Sequence, residues 1–386
     1  MFDSLKESLE FYRWLLYANF RQNREEAIEI LLMLVVGHVF GYYTPNQLSQ
    51  RLGVCKSKLY QELKNWSLYQ WRRQLMLMGC QYAVELLKAL ESKSAATHTR
   101  MRVTLGVDDT VIDRLGRVLA LTYSWWSGRA KKVVRGQNIL GITIKIGNDV
   151  IPLVLRPIGK QGCANTSKPQ VFETLLDEVY ACFKVEGIDL TQYPISFDSW
   201  YGSNELVTLL QDKGFDQIAI HAKSSYVFEI GGIREPLSEQ KHRIELKPDP
   251  WGCRDTPVAR CQAESPTFGT LILLLFRQGG QVKAVMMFGR KLRACEILSI
   301  WRQHHGIEQF WRALKTVLHI RQMRLRGRQG VYATLAIKVI AYLFMLKVAR
   351  KCHFTLQQLQ MEVAKQLDIE DFFSEHFHPN VHLVSP

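Results

Sequence analysis

The stretch Val103-Thr104-Leu105-Gly106-Val107-Asp108 joins β-branched and apolar residues to a terminal carboxylate. This composition predicts a buried strand over Val103–Val107 that ends at an acid. A second stretch, Pro194-Ile195-Ser196-Phe197-Asp198, follows the same pattern. An acid at the end of a strand is held rigidly at the edge of a sheet, where sites that need fixed geometry are usually built. The two stretches therefore predict a sheet with two carboxylates at its edge.

A third carboxylate, Glu308, lies in Ile300–Leu318, a segment with helical periodicity. At about 100° per residue, one face of this helix is apolar and is expected to lie on the sheet. The adjacent stripe, at the border between core and solvent, carries Trp301, His304, Glu308, Arg312 and Lys315. The alternative is a solvated stripe, since Glu308 and Arg312 are spaced as an i,i+4 ion pair.

These three acids are candidate metal ligands. Hard carboxylate oxygens bind Mg²⁺ and Mn²⁺, and two such ions can stabilise both the attacking and the leaving oxygen of a phosphodiester. Asp108, Asp198 and Glu308 are therefore the expected metal-binding and catalytic residues of a phosphoryl-transfer site.

The composition describes a soluble globular protein with a basic surface. The chain has 386 residues, 47% of them hydrophobic and 22% charged, which suits two or three domains. Lys and Arg exceed Asp and Glu by 50 − 36 = 14, and the pI is about 9.4. This excess indicates a polyanionic partner, because each neutralised phosphate releases counterions. A basic enzyme with no such partner is the alternative.

The cysteines and apolar segments restrict the compartment. The eight cysteines include no Cys-x-x-Cys pair, which argues against a zinc ribbon, and their scatter fits a reducing cytosol. Met1–Glu10 carries acids and no apolar core, so no signal peptide is expected. The longest apolar stretch, Leu335–Val348, contains Lys338 and Lys347 and is expected to be a core helix rather than a membrane span.

Residues 1–100 are expected to form an all-helical DNA-binding domain. Within it, Thr44–Leu63 has a helix-turn-helix pattern: Thr44 can cap, Pro45 fits the first helical position, Gln47 completes a capping box, and Gly53 suits the turn. The second helix is expected to present Lys56, Ser57, Lys58 and Gln61 to DNA. An ordinary helical hairpin is the alternative.

The remaining chain alternates between strand and helix patterns, which predicts a mixed α/β sheet covered by helices. Residues 101–223 form its first part, with strands expected at Val103–Val107, Val118–Tyr123, Ile139–Ile146, Val150–Leu155, Ile195–Asp198 and Gln217–His221. Residues 224–290 are expected to be a β-rich insertion, with strands at Tyr226–Ile230, Arg243–Leu246, Thr270–Phe276 and Val282–Phe288. Residues 291–351 return to the core with two helices, and residues 352–386 form a helical tail.

Three motifs resemble those of the DDE transposases of bacterial insertion sequences, most closely the cut-and-paste group with a β-strand insertion before the last acid. Asp108-Asp109-Thr110 resembles the first-acid motif, Asp-x-Thr, and Phe197–Gly202 resembles the second. The family's last motif is Tyr-x2-Arg-x3-Glu-x6-Lys. The same spacing here gives Trp301, His304, Glu308 and Lys315, and Arg302 is a candidate replacement for the arginine. The Asp-x-Thr match favours Asp108 over Asp109 as the first acid, and Asp113 is a further alternative.

The resemblance implies an RNase H-like core in which Asp108, Asp198 and Glu308 hold two Mg²⁺ or Mn²⁺ ions. It also implies a DNA transposase that cuts and joins inverted-repeat ends, acts as a homodimer on double-stranded DNA in the cytoplasm, and needs neither membrane nor nucleotide cofactor. The first acid, the second acid and Glu308 are carried over from the motifs. A nuclease without strand transfer and a catalytically idle DNA-binding regulator are the alternatives.

Further basic residues are expected to contact DNA. One group follows Trp125 and Trp126, aromatics that either stack on an unpaired base or pack beneath their loop. Beyond this group, Lys223 follows a predicted strand, and an arginine run follows the catalytic helix. Arginine suits phosphate because its planar fork can donate two hydrogen bonds. The DNA-contacting residues expected in these segments and in the last motif are Arg129, Lys131, Lys132, Arg135, Lys223, Trp301, Arg302, His304, Arg312, Lys315, Arg321, Arg324 and Arg326.

Overall fold

The structure is a computed structural model that describes residues 1–19, 25–97, 103–114, 119–128, 130–160, 167–249 and 253–377. Its helices α1 to α12 are Phe2–Asn19, Glu25–Gly37, Pro45–Leu52, Lys56–Asn65, Leu68–Thr97, Lys168–Val185, Asn204–Asp212, Leu237–Arg243, Ala294–Thr316, Gly327–Cys352, Leu356–Gln366 and Ile369–His376. Its strands β1 to β12 are Val103–Asp113, Tyr123–Ser127, Lys132–Ile146, Asp149–Pro157, Ile195–Phe197, Gln217–His221, Val227–Ile230, Ile233–Pro236, Lys247–Asp249, Cys253–Ser265, Gly269–Gln278 and Gln281–Gly289. Single 3-10 turns occupy Leu190–Gln192 and Ser199–Tyr201.

The described strands form one large mixed sheet. Strand β1 runs antiparallel to β3 and parallel to β5, and β5 runs parallel to β6. Strand β4 continues the antiparallel side of this group through β3. The order β4-β3-β1-β5-β6 and its mixture of directions fit an RNase H-like core.

The β-rich segment that follows extends the same sheet. Strand β12 pairs antiparallel with β6, and β11, β10 and the β7–β8 hairpin add strands beyond it. The chain therefore returns from the outer strands to β12, which lies beside β6, just before α9 begins at Ala294.

Helix α9 lies across one face of this sheet. Its first half, including Ile297 and Trp301, packs on the apolar face of β11 and β12. Its second half, including Ile307 and Phe310, belongs to the main core over β1. Because both halves are anchored, the helix is fixed in position where it passes the centre of the sheet.

The N-terminal region is helical and shares its core with the long helix α10. Side chains of α1, α2 and α5 pack against α10, and α5 packs against β4. Gly79 of α5 permits this approach, because a Cβ there would overlap the Pro152 carbonyl oxygen. Helix α10 is long and apolar enough to cross a membrane, but 94% of its most apolar window is buried inside the protein. The sequence-based interpretation of this stretch as a core helix is confirmed.

Two predicted strands are wrong, and one prediction falls outside the described residues. Residues 119–121 form a bend and turn, and the strand near the predicted Val118–Tyr123 is β2, Tyr123–Ser127, which pairs with β3 through Trp125 and Trp126. Residues 244–246 lack strand pairing, because α8 ends at Arg243 and β9 begins at Lys247. Val118 and Arg129 lie outside the part of the chain that the structure describes.

The helix pair α3–α4 has the predicted turn but a different cap. Thr44 Oγ1 accepts a hydrogen bond from Gln47 N, and Gly53 has a φ of 65°, which favours glycine. The Gln47 side chain accepts from Tyr43 N rather than from Thr44 N, so the predicted capping box is wrong. Thr44 remains the N-cap residue, and its hydroxyl also contacts Gln47 Oε1 at 3.2 Å.

Candidate active site

The sheet brings the first two acids side by side. Val107 of β1 is paired in parallel with Phe197 of β5, and each is followed directly by an aspartate, Asp108 or Asp198. Because this register is parallel, Asp108 and Asp198 lie side by side where β5 ends. The predicted end of the first strand at Val107 is wrong, since β1 continues past Asp108 to Asp113 through its pairing with β3. Asp198 also caps the 3-10 turn after β5, accepting a hydrogen bond from Ser199 N at 2.6 Å.

The side chain of Asp108 is on the face of the sheet that α9 covers. Gly106 faces Ile307 of that helix, and Thr110 accepts a hydrogen bond from Lys315 Nζ at 2.5 Å. Because side chains alternate along a strand, Asp108 shares the face of these two residues while Asp109 faces the opposite side.

Glu308 completes the group from the exposed border of α9. Its side chain is 55% exposed, and Glu308 Oε2 lies 3.3 Å from His305 Nδ1. The hydrogen bond from His305 lowers the pKa of Glu308. Glu308, Asp108 and Asp198 all line one open cleft of about 1570 Å³. The border position predicted from helical periodicity therefore applies to Glu308, Arg312 and Lys315.

The carboxylate of Asp109 is already paired with neighbouring protein groups. Its Oδ1 lies 2.8 Å from Lys168 Nζ and accepts a hydrogen bond from the Tyr201 hydroxyl at 2.7 Å. Lys168 Nζ also lies 3.7 Å from the ring centre of Trp200, which is a cation–π contact. Lys168 reaches this position from the first residue of α6, which Ser167 caps. With its charge already paired, Asp109 is the poorer candidate for a metal ligand.

Asp108 lies in an electrostatically strained environment. Burial, together with the carboxylates of Asp109, Asp198 and Glu308, raises the pKa of Asp108 well above its ordinary value. A cation placed among these acids would relieve both effects. Within the described residues, no three His, Cys, Asp or Glu side chains are close enough to form a ready-made metal site. The donor chemistry thus fits a hard divalent cation, while the side chains are spread around the cleft.

Two residues of the last motif are in the core. Trp301 and His304 are 4% and 2% exposed, and their rings stack in the order His221, Trp301, His304 with centroid separations of 5.1 and 5.0 Å. Direct DNA contact by Trp301 and His304, as predicted from the motif, is therefore wrong for this structure. Their bulk instead fixes α9 against β5 and β6.

The polar atoms of His304 show how this anchoring works. Ser196 Oγ donates to the Leu105 carbonyl at 3.0 Å, so it accepts from His304 Nδ1, which lies 3.1 Å away. Burial lowers the pKa of His304 to about 4, so the ring is neutral at pH 7. Burial also lowers the pKa of His221, whose Nδ1 lies 3.8 Å from Asp198 Oδ1.

Four of the remaining predicted DNA contacts are exposed in two places. Lys131, Lys132 and Arg135 are exposed on the β2–β3 hairpin, beside Trp126, which is 64% exposed. Trp125 is partly buried against the core, as one of the two predicted alternatives has it, while base stacking by Trp126 stays a prediction. Arg312 is exposed on α9.

Three of the other predicted contacts already interact with protein groups, and two are exposed. Arg302 donates to Thr256 Oγ1 at 2.7 Å and so points toward β10. Lys223 lies 5.6 Å from the ring centre of Tyr226. Arg321 pairs with Asp113 at 2.7 Å, while Arg324 and Arg326 are exposed.

The predicted DNA-reading residues of α4 differ in exposure. Lys56, Ser57 and Gln61 are exposed, while Lys58 is partly buried and pairs with Glu26 of α2. Cys55, at the N-cap position, makes no side-chain capping bond.

Sequence reasoning missed Lys168, Arg114 and the structural role of Ser196. Lys168 contacts Asp109 across 59 residues of chain, and Arg114 contacts the loop after α9 across more than 200. The available signal was weak: Ser167 and Pro169 predict a helix start, and Lys168 is the cation beside it.

The mixed sheet, with its acid-lined cleft, fits an RNase H-like core. The family described as the transposase DDE domain matches residues 122–344, which is more than half of the chain, and the protein belongs to that family. The matched segment contains Asp198 and Glu308 and begins after Asp108. No curated protein matches the chain. Family membership implies a DNA-binding transposase, and enzymes of this family generally use divalent metal ions.

Proposed function

We propose that the protein binds the inverted-repeat ends of the DNA element that encodes it, cuts them, and joins them to target DNA. Asp108, Asp198 and Glu308 are the catalytic residues. The observation that carries this proposal is the pairing of Val107 with Phe197, which sets two acids side by side opposite Glu308.

The three carboxylates would hold two Mg²⁺ or Mn²⁺ ions. Bound there, the ions supply Lewis acidity for the attacking and leaving oxygens of a phosphodiester. Asp109 also lines the cleft but keeps its pairing with Lys168 and Tyr201, which leaves Asp108 as the acid of β1 that is available to a metal ion.

Other side chains of the cleft would position the DNA. Lys315 is held beside Asp108 by its bond to Thr110, where its ammonium can approach a phosphate. Arg312 is exposed one turn from Glu308. Trp126, which lines the cleft, offers an exposed ring to an unpaired base. The exposed Lys131, Lys132 and Arg135 of the same hairpin offer charge to the DNA backbone.

Helices α3 and α4 are proposed to be the helix-turn-helix that recognises the ends. The exposed side chains of Lys56, Ser57 and Gln61 at the start of α4 support this role, because a recognition helix reads bases from its N-terminal residues. Lys58 is the weaker contact because Glu26 competes for it. Joining two ends favours a homodimer, and residues 224–290 are proposed as an insertion whose strands extend the core sheet.

Labelled DNA carrying the native ends of the element tests this function. With Mg²⁺, we expect end cleavage and strand transfer by the wild-type protein, and neither reaction by the Glu308→Gln variant. Cleavage without joining would instead identify a nuclease. Binding without cleavage in Mg²⁺ or Mn²⁺ would identify a DNA-binding regulator and remove the catalytic assignment.

A further inference from the structure

A buried guanidinium organises the loop that follows the catalytic helix. Arg114 is 5% exposed and lies directly after β1. Its Nη1 donates to the carbonyl oxygens of Ile320, Arg321 and Met323 at 3.1 to 3.2 Å, and its Nε donates to Gln137 Oε1 at 3.0 Å. Among the described residues, none accepts a hydrogen bond from Arg114 Nη2. One edge of the guanidinium therefore keeps donors for a ligand.

Two further guanidiniums crowd the same place. Arg114, Arg321 and Arg324 line a small cavity together with Asp113, the one acid among its described lining residues. Three positive charges and one negative charge leave a net charge of 3 − 1 = 2. Burial, then the charges of Arg324 and Arg321, lower the pKa of Arg114 to about 10. The Nε of Arg321 is also buried without a hydrogen-bond partner among the described residues. A cluster of this kind is stabilised by an anion that accepts from several of its N–H groups.

The size of the cavity restricts that anion. Its volume is about 210 Å³, below the range of about 300–1,000 Å³ that is usual for pockets binding drug-sized molecules. A single phosphate group is the natural occupant, because guanidinium donors match its oxygens in geometry and charge.

The cavity lies at the end of a line of cations that starts at the acids. Asp113 is five residues beyond Asp108 on β1, so the two are separated by about 17 Å at about 3.4 Å per residue. Between these two acids, Lys315 of α9 contacts Thr110. At the far end of the stretch, Arg321 contacts Asp113. The segment from α9 to Arg321, which contacts β1 at Thr110 and Asp113, thus carries positive charge away from the cleft.

We propose that Arg114, Arg321 and Arg324 bind one backbone phosphate of the DNA strand, about 17 Å from the phosphate that is cut. Arg114 shapes the site by holding the loop, while Arg321 and Arg324 close around the phosphate. This inference rests on the proposed function, since it assumes that DNA enters the acid-lined cleft. At an axial rise of about 3.4 Å per nucleotide, the distance corresponds to about five nucleotides.

A scan of neutral phosphates locates the contact. Duplexes carrying the element end receive a single methylphosphonate at successive positions, and binding is measured without divalent metal. For the wild-type protein, we expect about a tenfold loss of affinity at one position several nucleotides from the cut site. The Arg324→Ala variant should bind the unmodified duplex about tenfold more weakly and lose no further affinity at that position. Arg324 is chosen because it is exposed, whereas replacing Arg114 would release the loop.

The matched control is Arg328→Ala, which removes an exposed arginine of the same run that does not line the cavity. It should keep the wild-type sensitivity at that phosphate. Equal sensitivity of wild type and Arg324→Ala at every position would overturn the proposal. Inorganic phosphate that stabilises the wild type but not Arg324→Ala against heat, with no sensitive position in the duplex, would assign the cavity to a free anion instead.

Cleavage in Mg²⁺ distinguishes a failure of the phosphate site from a failure of the proposed function. A duplex that is bound with the expected phosphate dependence but never cut would contradict the proposed function and leave the phosphate site standing. A duplex that is cut normally with no phosphate dependence would contradict the phosphate site alone.

Discussion

The indole of Trp311 lies directly over Gly141, the residue paired with Asp108 on the neighbouring strand. A Cβ at position 141 would lie 2.9 Å from the Trp311 ring and 2.6 Å from Leu155 Cδ2. The absence of a side chain at Gly141 therefore sets how closely α9, with Glu308, approaches Asp108.

The Gly141→Ala substitution tests this relationship. Overpacking at the contact should lower the free energy of unfolding by about 1–3 kcal/mol. It should also reduce DNA cleavage more than it reduces DNA binding, because α9 must move away from β1. Urea unfolding and end cleavage measure the two effects. Gly128→Ala, where a Cβ would meet nothing within 4 Å, should change stability by less than about 0.5 kcal/mol. Wild-type stability of Gly141→Ala would contradict the close contact.

The pair Lys168–Asp109 should show a measurable coupling energy. Both side chains are largely buried, at 13% and 15% exposed, and each loses its partner in a single variant. We expect Lys168→Met and Asp109→Asn to destabilise the protein separately and to couple by more than about 1 kcal/mol in a double-mutant cycle. The exposed pair Lys213–Asp177 is the control and should couple by less than about 0.5 kcal/mol. Equal coupling in both pairs would show that the environment of Asp109 is no different from the surface.

The stability of the protein should fall below neutral pH through His38. His38 Nδ1 donates to the Leu34 carbonyl, so Nε2 accepts from Lys338 Nζ at 2.7 Å. Burial and the charge of Lys338 lower the pKa of His38 well below 6.5. A depressed folded-state pKa means that the stabilisation is complete above the unfolded pKa, about 6.5, and is lost as pH falls toward the folded value.

The His38→Gln variant should flatten this dependence, because glutamine keeps an acceptor for Lys338 but does not titrate. Part of the dependence of unfolding free energy on pH should remain in both proteins, because both contain His304, whose pKa is lowered to about 4. Unfolding in urea at several values between about pH 7 and 5 measures the difference. The exposed His242→Gln variant should follow the wild type. Parallel curves for wild type and His38→Gln would contradict the role of His38.

Recognition of the element ends should depend on the start of α4. The Lys56→Ala variant should reduce affinity for the end by about tenfold and lower the slope of affinity against salt by about one unit, because one phosphate contact is lost. Gel-shift titrations at several salt concentrations measure both. Lys64→Ala, at the opposite end of the same helix, is the control. Lys58 is a poorer probe, since its replacement also breaks the pair with Glu26. Wild-type affinity and slope for Lys56→Ala would remove α4 from the DNA interface.

Local sequence patterns were sufficient for the strands that carry the acids. Val103–Val107 and Ile195–Asp198 have strong strand composition, and both segments form central strands of the sheet. Their predicted ends differ from the structure, because β1 continues to Asp113 and β5 ends at Phe197. Helical periodicity also located the apolar face of α9. The strand predicted at Arg243–Leu246 failed because its apolar residues, Ile244 and Leu246, instead pack against the core from a connection between α8 and β9.

Contacts between distant segments could not be predicted from the sequence. Nothing local distinguishes Arg114 from a surface arginine, since its burial depends on carbonyl groups of Ile320 to Met323. Spacing alone placed Trp301 and His304 beside Glu308 on the helix, but their exposure depends on β6, which brings His221 against Trp301. Pairing by Lys168 and Tyr201 likewise distinguishes Asp109 from Asp108, which motif spacing could only suggest.

We propose that Asp108, Asp198 and Glu308 act together in DNA cleavage while Asp109 does not. The most direct test measures Mg²⁺-dependent cleavage of a labelled element end by Asp108→Asn, Asp198→Asn, Glu308→Gln and Asp109→Asn, with DNA binding measured alongside. We predict that the first three bind DNA but cut it at least about a thousandfold more slowly, a loss of about 4 kcal/mol in transition-state stabilisation. Asp109→Asn should cut within about tenfold of wild type, or about 1.4 kcal/mol. Cleavage near the wild-type rate by any of the first three variants, or its abolition in Asp109→Asn alone, would contradict the account.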